Sequence, residues 1–153
     1  MPMRSTLPIE LYRAAQVREL DRIAIEDRGI PSYTLMSRAG EAAFQLLRQR
    51  WPKARRITVV CGGGNNGGDG YVVARLARQA GLDARITTLA DPEHLRGDAL
   101  TAAQEAHAVE VPITAFNAAD LVEADLLVDA ILGTGLEWEV SGTWREAIKT
   151  MNA

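Results

Sequence analysis

Apolar residues recur along this chain in two different rhythms. From Glu10 to Asp27, Ala14, Val17, Leu20 and Ala24 fall at helical spacing, with Leu11 and Ile23 beside them, and Gly29 and Pro31 stop the run. Ser32 is placed to cap a second helix, in which Leu35, Ala39, Ala42 and Leu46 make a stripe flanked by Met36, Ala43 and Leu47; Pro52 ends it. The rhythm then shortens. "RRITVVC" is a β-branched run that reads as a buried strand. A glycine-rich loop follows, and Val72, Val73, Leu76, Ala77 and Ala80 return to helical spacing, with Gly81 as the residue that closes the helix. "DARITTL" is a second strand. Ala99, Ala102, Ala103 and Ala106 mark a helix over Leu95 to Ala108. "VEVPIT" is a third strand, placed at an edge by Pro112. "ADLLVDAIL" is a fourth, and its long apolar run suggests a central position. "GTGLEWEVSG" is a loop, and Thr143 to Asn152 begins another helix.

Strands that alternate with helices pair in parallel through right-handed crossovers. The fold class is therefore α/β, a Rossmann-like three-layer sandwich with a parallel sheet. Residues 1–52 form two N-terminal helices and residues 53–153 the Rossmann-like core. With strand 3 at an edge the expected order is 3-2-1-4. The last helix should hand over to a fifth strand, but the sequence stops at Ala153. The expectation is a domain truncated before that strand, with "LLVDAIL" left as an open edge.

Composition narrows the function classes. The 153 residues suffice for one domain with a real core, and the net charge of −3 is spread over scattered residues, the densest basic cluster being Lys53, Arg55 and Arg56. That argues against a nucleic-acid binder working through a basic face. Cys61 is the only cysteine, which excludes an internal disulfide and suits a reducing cytoplasm. No apolar run approaches a membrane span, and "MPMRSTLPIELYR" has no signal-peptide core.

The chemistry concentrates in "GGGNNGGDG", Gly62 to Gly70. In open parallel sheets ligands bind at the carboxyl ends of the strands, where the order reverses. With the order 3-2-1-4, this loop after strand 1 and the "GTGL" loop after strand 4 should face each other across that crevice. The first loop leads into a helix starting near Asp69, whose N-terminus favours anions. The glycines are expected to admit a phosphate close to the backbone and to permit positive φ. Asn65 and Asn66 add amide groups. Asp69 either caps the helix or meets a ligand hydroxyl. Asp129, ending strand 4, adds a carboxylate, and such oxygen donors suit a hard cation. Cys61 reads as a small core residue, and His94 and His107 as surface residues of a polar helix. Trp138, between Glu137 and Glu139, is either a lid over a ligand or a contact to another chain.

Taken together, "YTLMSRAGEAAF", "VVCGGGNNGGDGYVVARLARQAG" and "DAILGTGL" resemble the N-terminal domain of the YjeF family, the NAD(P)H-hydrate epimerases. The likeness runs over nearly the whole chain in the right order, and "GNNGGDG" is highly specific. The resemblance implies a Rossmann-like sandwich with N-terminal helices, a homodimer, and epimerisation of the R and S forms of hydrated NADH and NADPH (NADHX and NADPHX) at C6 of the nicotinamide ring. A dehydratase, in many bacteria fused behind the epimerase, consumes the S form. The resemblance places Asn65, Asn66, Gly67, Gly68 and Asp69 on the hydrate, makes Asn66 and Asp129 potassium ligands, and makes Gly133, Thr134, Gly135, Leu136, Glu137, Trp138 and Glu139 a second substrate loop. It singles out no proton-transfer residue. Two features depart from the family pattern. The D-[IV]-P-[ST]-G segment of the next strand has no match before Ala153, and acidic Glu137 and Glu139 stand where the family has basic residues or proline.

Two other readings compete. A conventional NAD-binding oxidoreductase would use Gly62, Gly64 and Gly67 as G-x-G-x-x-G, but strand 2 ends "ITTLAD" without the usual ribose-binding acid at its tip. A non-catalytic scaffold of the same fold, as in an RNA-decapping enhancer, would be expected to lose the polar loop residues, and here Asn65, Asn66, Asp69 and Asp129 are all present.

Overall fold

A computed structural model describes residues 10–153. The chain forms two compact units, meeting at Pro31 and Ser32. Expectations for the first nine residues lie outside the described part.

In the first unit, helix α1 (Ala14–Arg22) runs on as a π-helical turn over Ile23–Asp27. Arg22 lies among Glu19, Glu26 and Asp27, at 2.8, 3.0 and 3.4 Å. None of the residues of these two helical segments is buried. Gly29 takes φ +66°, a conformation open to glycine, and ends the segment where the sequence predicts.

The second unit begins with α2 (Ser32–Arg50). Then come β1 (Arg56–Cys61), α3 (Asn65–Gln79), β2 (Asp83–Thr88), α4 (Gly97–Ala108), β3 (Ile113–Ala115), β4 (Leu126–Ala130) and α5 (Gly142–Met151). Short 3-10 turns cover Pro92–His94 and Ala118–Leu121. The strands pair in parallel in the order β3-β2-β1-β4, as the edge proline predicts.

Alternation along the strands builds two cores. Ile57, Val59, Cys61, Ala84 and Ile86 pack with Met36 and Leu47 of α2, Tyr71 and Val72 of α3, and Ala102 and Ala106 of α4. Val60 points the other way, toward Leu121, Ile131 and Ala147 of α5. Helices on both faces of one parallel sheet make three layers.

Four local expectations are corrected. Ser32 is the first helical residue of α2, and not its cap. The buried side of α2 is Met36, Gly40 and Leu47, while Ala39, Ala42, Ala43 and Leu46 are exposed. The stripe is shifted by one residue, because Gly40 lets α2 approach Val72 of α3 more closely than any side chain could. Among the described strands β4 is an edge, as the order 3-2-1-4 implies, and not central as its apolar run suggests. Leu126 and Val128 pack to one face of the sheet and Leu127 to the other. Finally, α3 begins at Asn65, one turn before Asp69.

Candidate functional site

The site is built where β1 and β4, the two strands on either side of the order reversal, deliver their loops. Cys61 ends β1 and is fully buried, and burial pushes its thiol pKa up, which leaves it an unreactive core residue. Gly62–Gly64 make the turn, Gly64 stands at the N-cap, and no side chain caps the helix. Asp69 therefore sits in the second turn of α3, half-buried, and does not cap it.

The glycines serve close packing. None of those between Gly62 and Gly70 has positive φ; that conformation belongs to Gly29, Gly81, Gly97 and Gly142. A β-carbon at Gly67 would fall on the Gly62 carbonyl. At Gly70 it would lie 2.5 Å from the Ala130 β-carbon and 2.9 Å from Cys61 Sγ, and at Gly68 2.5 Å from Met36 Cε. The first turns of α3 thus lie directly on the strand ends, which no larger residue permits.

The second loop is fastened to the first. Gly62 N–H donates to the Ala130 carbonyl at 2.9 Å. A β-carbon at Gly62 would fall on the Ile131 carbonyl and lie 3.1 Å from Trp144 Cζ3. Asn66 donates from Nδ2 to the Leu132 carbonyl at 3.1 Å, and Gly133 fits against its side chain, where a β-carbon would be 3.1 Å from Asn66 Cβ. Asp129, opposite Val60 in register, is exposed and accepts from Ile131 N–H at 3.1 Å. The two loops thus meet, as the strand order predicts.

Of the residues singled out in the sequence, Asn66, Gly67 and Gly133 come together, with Asn65 exposed on the same first turn of α3. Gly67 and Gly68 are buried, so what they can offer a ligand is backbone. Leu136 is 43% and Trp138 60% exposed, and Glu137 and Glu139 are exposed with them on an irregular segment. No basic residue occurs from Asp129 to Trp144, so this wall of the crevice is acidic. His94 pairs with Asp91 at 3.3 Å on the surface, and His107 is exposed on α4.

A third loop, after β2, was not legible in the sequence. Leu89 N–H donates to the Cys61 carbonyl at 2.9 Å, and Ala90 stands where a β-carbon at Gly63 would be 3.0 Å away. Thr88 Oγ1 lies 2.7 Å from the Ala90 carbonyl and 3.3 Å from that of Cys61, and accepts from Ala90 N–H at 3.2 Å. Tyr71 of α3 is completely buried, and burial raises its phenol pKa to about 12. Trp144 was missed too, because only the path of α5 brings it over Gly62. Two concavities, of about 70 Å³ beside Arg56 and Arg85 and about 570 Å³ beside Trp51 and Lys53, lie at the amino ends of the strands. They are remote from these loops, and the first holds only a few waters. The topology places a ligand instead at the carboxyl ends of β1 and β4, where the two loops meet.

Fold and cleft define the class: a three-layer α/β domain with two glycine loops facing each other at the carboxyl edge of its sheet. Residues 32–153 match the family model described as YjeF-related protein N-terminus, and the chain belongs to that family. It is 46% identical over 142 residues to the bifunctional NAD(P)H-hydrate repair enzyme Nnr of Coxiella burnetii, covering 93% of this chain and 29% of that protein. It is 40% identical over 140 residues to the NAD(P)H-hydrate epimerase of Limosilactobacillus fermentum, covering 92% of this chain and 67% of that one. Against the Nnr of Escherichia coli the identity is 42%, over 86% of this chain and 25% of the relative. This chain thus spans less than a third of the two bifunctional relatives. A crystal structure of yeast ynu0 has the same fold, with a TM-score of 0.84 at 20% identity, over 94% of this chain and 65% of that one.

Proposed function

We propose that this chain is an NAD(P)H-hydrate epimerase domain, interconverting the R and S forms of NADHX and NADPHX at C6 of the reduced nicotinamide ring. One observation carries the reading: Asn66 is bonded to the Leu132 carbonyl with Gly133 against it, so both glycine loops form a single cleft bearing amides and a carboxylate. The names of the relatives support the same activity. In this reading Asn65, Asn66, Gly67, Gly68 and Asp69 meet the hydrate from one side, and Gly133, Thr134, Gly135, Leu136, Glu137, Trp138 and Glu139 from the other. The exposed N–H groups at the start of α3, at the positive end of its dipole, suit a phosphate or sugar oxygen. Glu137 and Glu139 are better matched to ribose or amide groups than to phosphate.

The donor set fits a potassium ion. Asn66 turns its Nδ2 to Leu132, which leaves Oδ1 as an acceptor, and Asp129 keeps one carboxylate oxygen beyond the bond to Ile131. Among the described residues no group of three or more His, Cys, Asp or Glu could hold a metal, so oxygens of low total charge are what the cleft offers. Asn66 and Asp129 would hold the ion. Its charge would steady substrate oxygens and offset the acidic wall.

A homodimer, a cytoplasmic location and a partnership with a dehydratase for the S form belong to the same reading. The first rests on the family resemblance. The second accords with the single buried cysteine, and no helix among the described residues is long and apolar enough to cross a membrane. The third is supported by the relatives named bifunctional.

The test follows one purified epimer of NADPHX by chromatography, with this chain and with a chain extended by whatever coding sequence follows Ala153. Conversion faster than the spontaneous rate is expected. A rate equal to the spontaneous one in both would remove the epimerase assignment.

A further inference from the structure

Of the three stretches that carry the family resemblance, "YTLMSRAGEAAF" on α2 supplies no residue to the cleft. Tyr33, Met36 and Gly40 of that stretch fall at i, i+3 and i+7, so they share one face of the helix. That face meets the start of α3. Gly40 lies against Val72, and a β-carbon there would overlap the Val72 side chain and come within 3.3 Å of the Asp69 carbonyl oxygen. Met36 is buried and lays its thioether on Gly68, where a β-carbon would be 2.5 Å from Met36 Cε and 2.6 Å from Sδ. Gly68 N–H donates to the Gly64 carbonyl at 3.0 Å, and this bond closes the first turn of α3 around Asn65, Asn66 and Gly67. Met36 is therefore packed on the residue that closes the turn bearing the cleft's amides.

Tyr33 is the polar end of the same face. Its hydroxyl donates to Glu105 Oε2 of α4 at 2.5 Å, and Arg75 Nε of α3 forms an ion pair with the same oxygen at 3.4 Å. A hydroxyl bonded to a carboxylate at this length is a charge-assisted bond, stronger than a neutral one. One carboxylate thus ties α2 to both α3 and α4, one helical turn before Met36. Packing alone would be served equally by phenylalanine; the hydroxyl adds a fixed distance. We propose that Tyr33 and Met36 are positioning residues for the cleft: the Tyr33–Glu105 bond sets the rotation and depth of α2, Met36 passes that setting to Gly68, and the first turn of α3 is held in place to meet substrate. The effect on substrate binding rests on the epimerase reading; the effect on the turn does not.

The experiment has two readouts on the full chain, with Tyr33→Phe, Met36→Ala and Met36→Leu. The first is amide hydrogen exchange. In Tyr33→Phe, exchange at Gly68 should rise roughly 5-fold relative to Val73 and Ala74 in the middle of the same helix, as expected for one lost hydrogen bond. Met36→Ala, which opens space beside Gly68, should raise it further, and Met36→Leu, which nearly keeps the volume, should stay within about 2-fold of the parent. The second readout is the KM for NADHX, which should rise about 5-fold in Tyr33→Phe and Met36→Ala with kcat unchanged, and should be rescued in Met36→Leu. Exchange at Gly68 that moves no more than at Val73 and Ala74 would overturn the proposal, because it reports only lost stability. So would a parental KM in Tyr33→Phe, or the absence of rescue in Met36→Leu. If neither the parent nor any variant turns over NADHX, the epimerase reading fails, and the exchange result still decides whether Tyr33 and Met36 hold the turn.

Discussion

The two loops that face each other across the cleft are made of similar residues and are held in opposite ways. In the loop after β1 and the first turns of α3 that continue it, Gly62, Gly67, Gly68 and Gly70 are buried, and an added β-carbon at each would strike backbone, a neighbouring strand residue or Met36. In the loop after β4, Gly133 touches Asn66 but Gly135 touches nothing within 4 Å, and Leu136 to Glu139 are exposed. The first loop is a wall whose sequence is dictated by packing. The second carries exposed residues that packing does not explain, including a 60% exposed Trp138 between two glutamates. A residue kept for the fold and one available for a ligand can therefore be told apart here by what a single added carbon would meet.

The strongest way to break this comparison is to add that carbon. Gly67→Ala places a β-carbon on the Gly62 carbonyl, a backbone atom in a tight turn that cannot swing aside. Alanine has the better helix propensity by about 1 kcal/mol, yet overpacking against backbone should outweigh it and leave a net loss of about 2–3 kcal/mol. Gly135→Ala meets open space at an ordinary φ and should stay within ~0.5 kcal/mol of the parent. Urea melts of both variants check this. Equal midpoints would mean that the first loop is no more constrained than the second.

A smaller effect sharpens the same contrast on the ligand side. Asp129→Ala removes the carboxylate proposed to share a potassium ion with Asn66. If the ion binds only the folded domain, raising potassium to ten times its dissociation constant should stabilise the parent by about 1.4 kcal/mol, or roughly 3–6 °C in Tm. The variant should lose that response while its Tm in choline stays close to the parent's, because Asp129 is exposed. An identical potassium response in both proteins would rule out the site.

Much of this was legible from spacing alone. Three β-branched or apolar runs and Pro112 imply the strand order, and that order alone places the two loops opposite each other. The glycine string was legible as a special loop, but its reason was not. Close approach of α3 to Ala130, Cys61 and Met36 depends on residues up to 60 positions away, and sequence offers positive φ as an equally good reading. The helix start was misplaced for a related cause: Asn65–Gly68 has poor helix propensity, and tertiary contact overrides it. The buried side of α2 was misread because Gly40, which carries no hydrophobic signal, is the point of closest contact. Tyr71, Thr88 and Trp144 gave no periodic or motif signal as site residues at all.

The smallest effect concerns the base on which the second loop stands. Asp125, just before β4, accepts from Arg55 N–H at 2.8 Å and Arg56 N–H at 2.9 Å, and pairs with the Arg56 guanidinium at 3.2 Å. The two backbone donors to its charged form, with the guanidinium behind them, lower its pKa to about 2. The unfolded value is about 3.9. A carboxylate whose pKa is lower when folded contributes its full stability above the unfolded pKa, and that contribution fades as pH falls toward and through the folded one. Asp125→Asn keeps an acceptor but loses the charge, so it should melt below the parent at pH 6. The gap should narrow from about pH 4 and be nearly gone by about pH 2. Thermal melts of the parent and Asp125→Asn from pH 6 down to pH 2 check this. A gap that stays constant over that range would show that the charge of Asp125 does not hold the base of β4 in place.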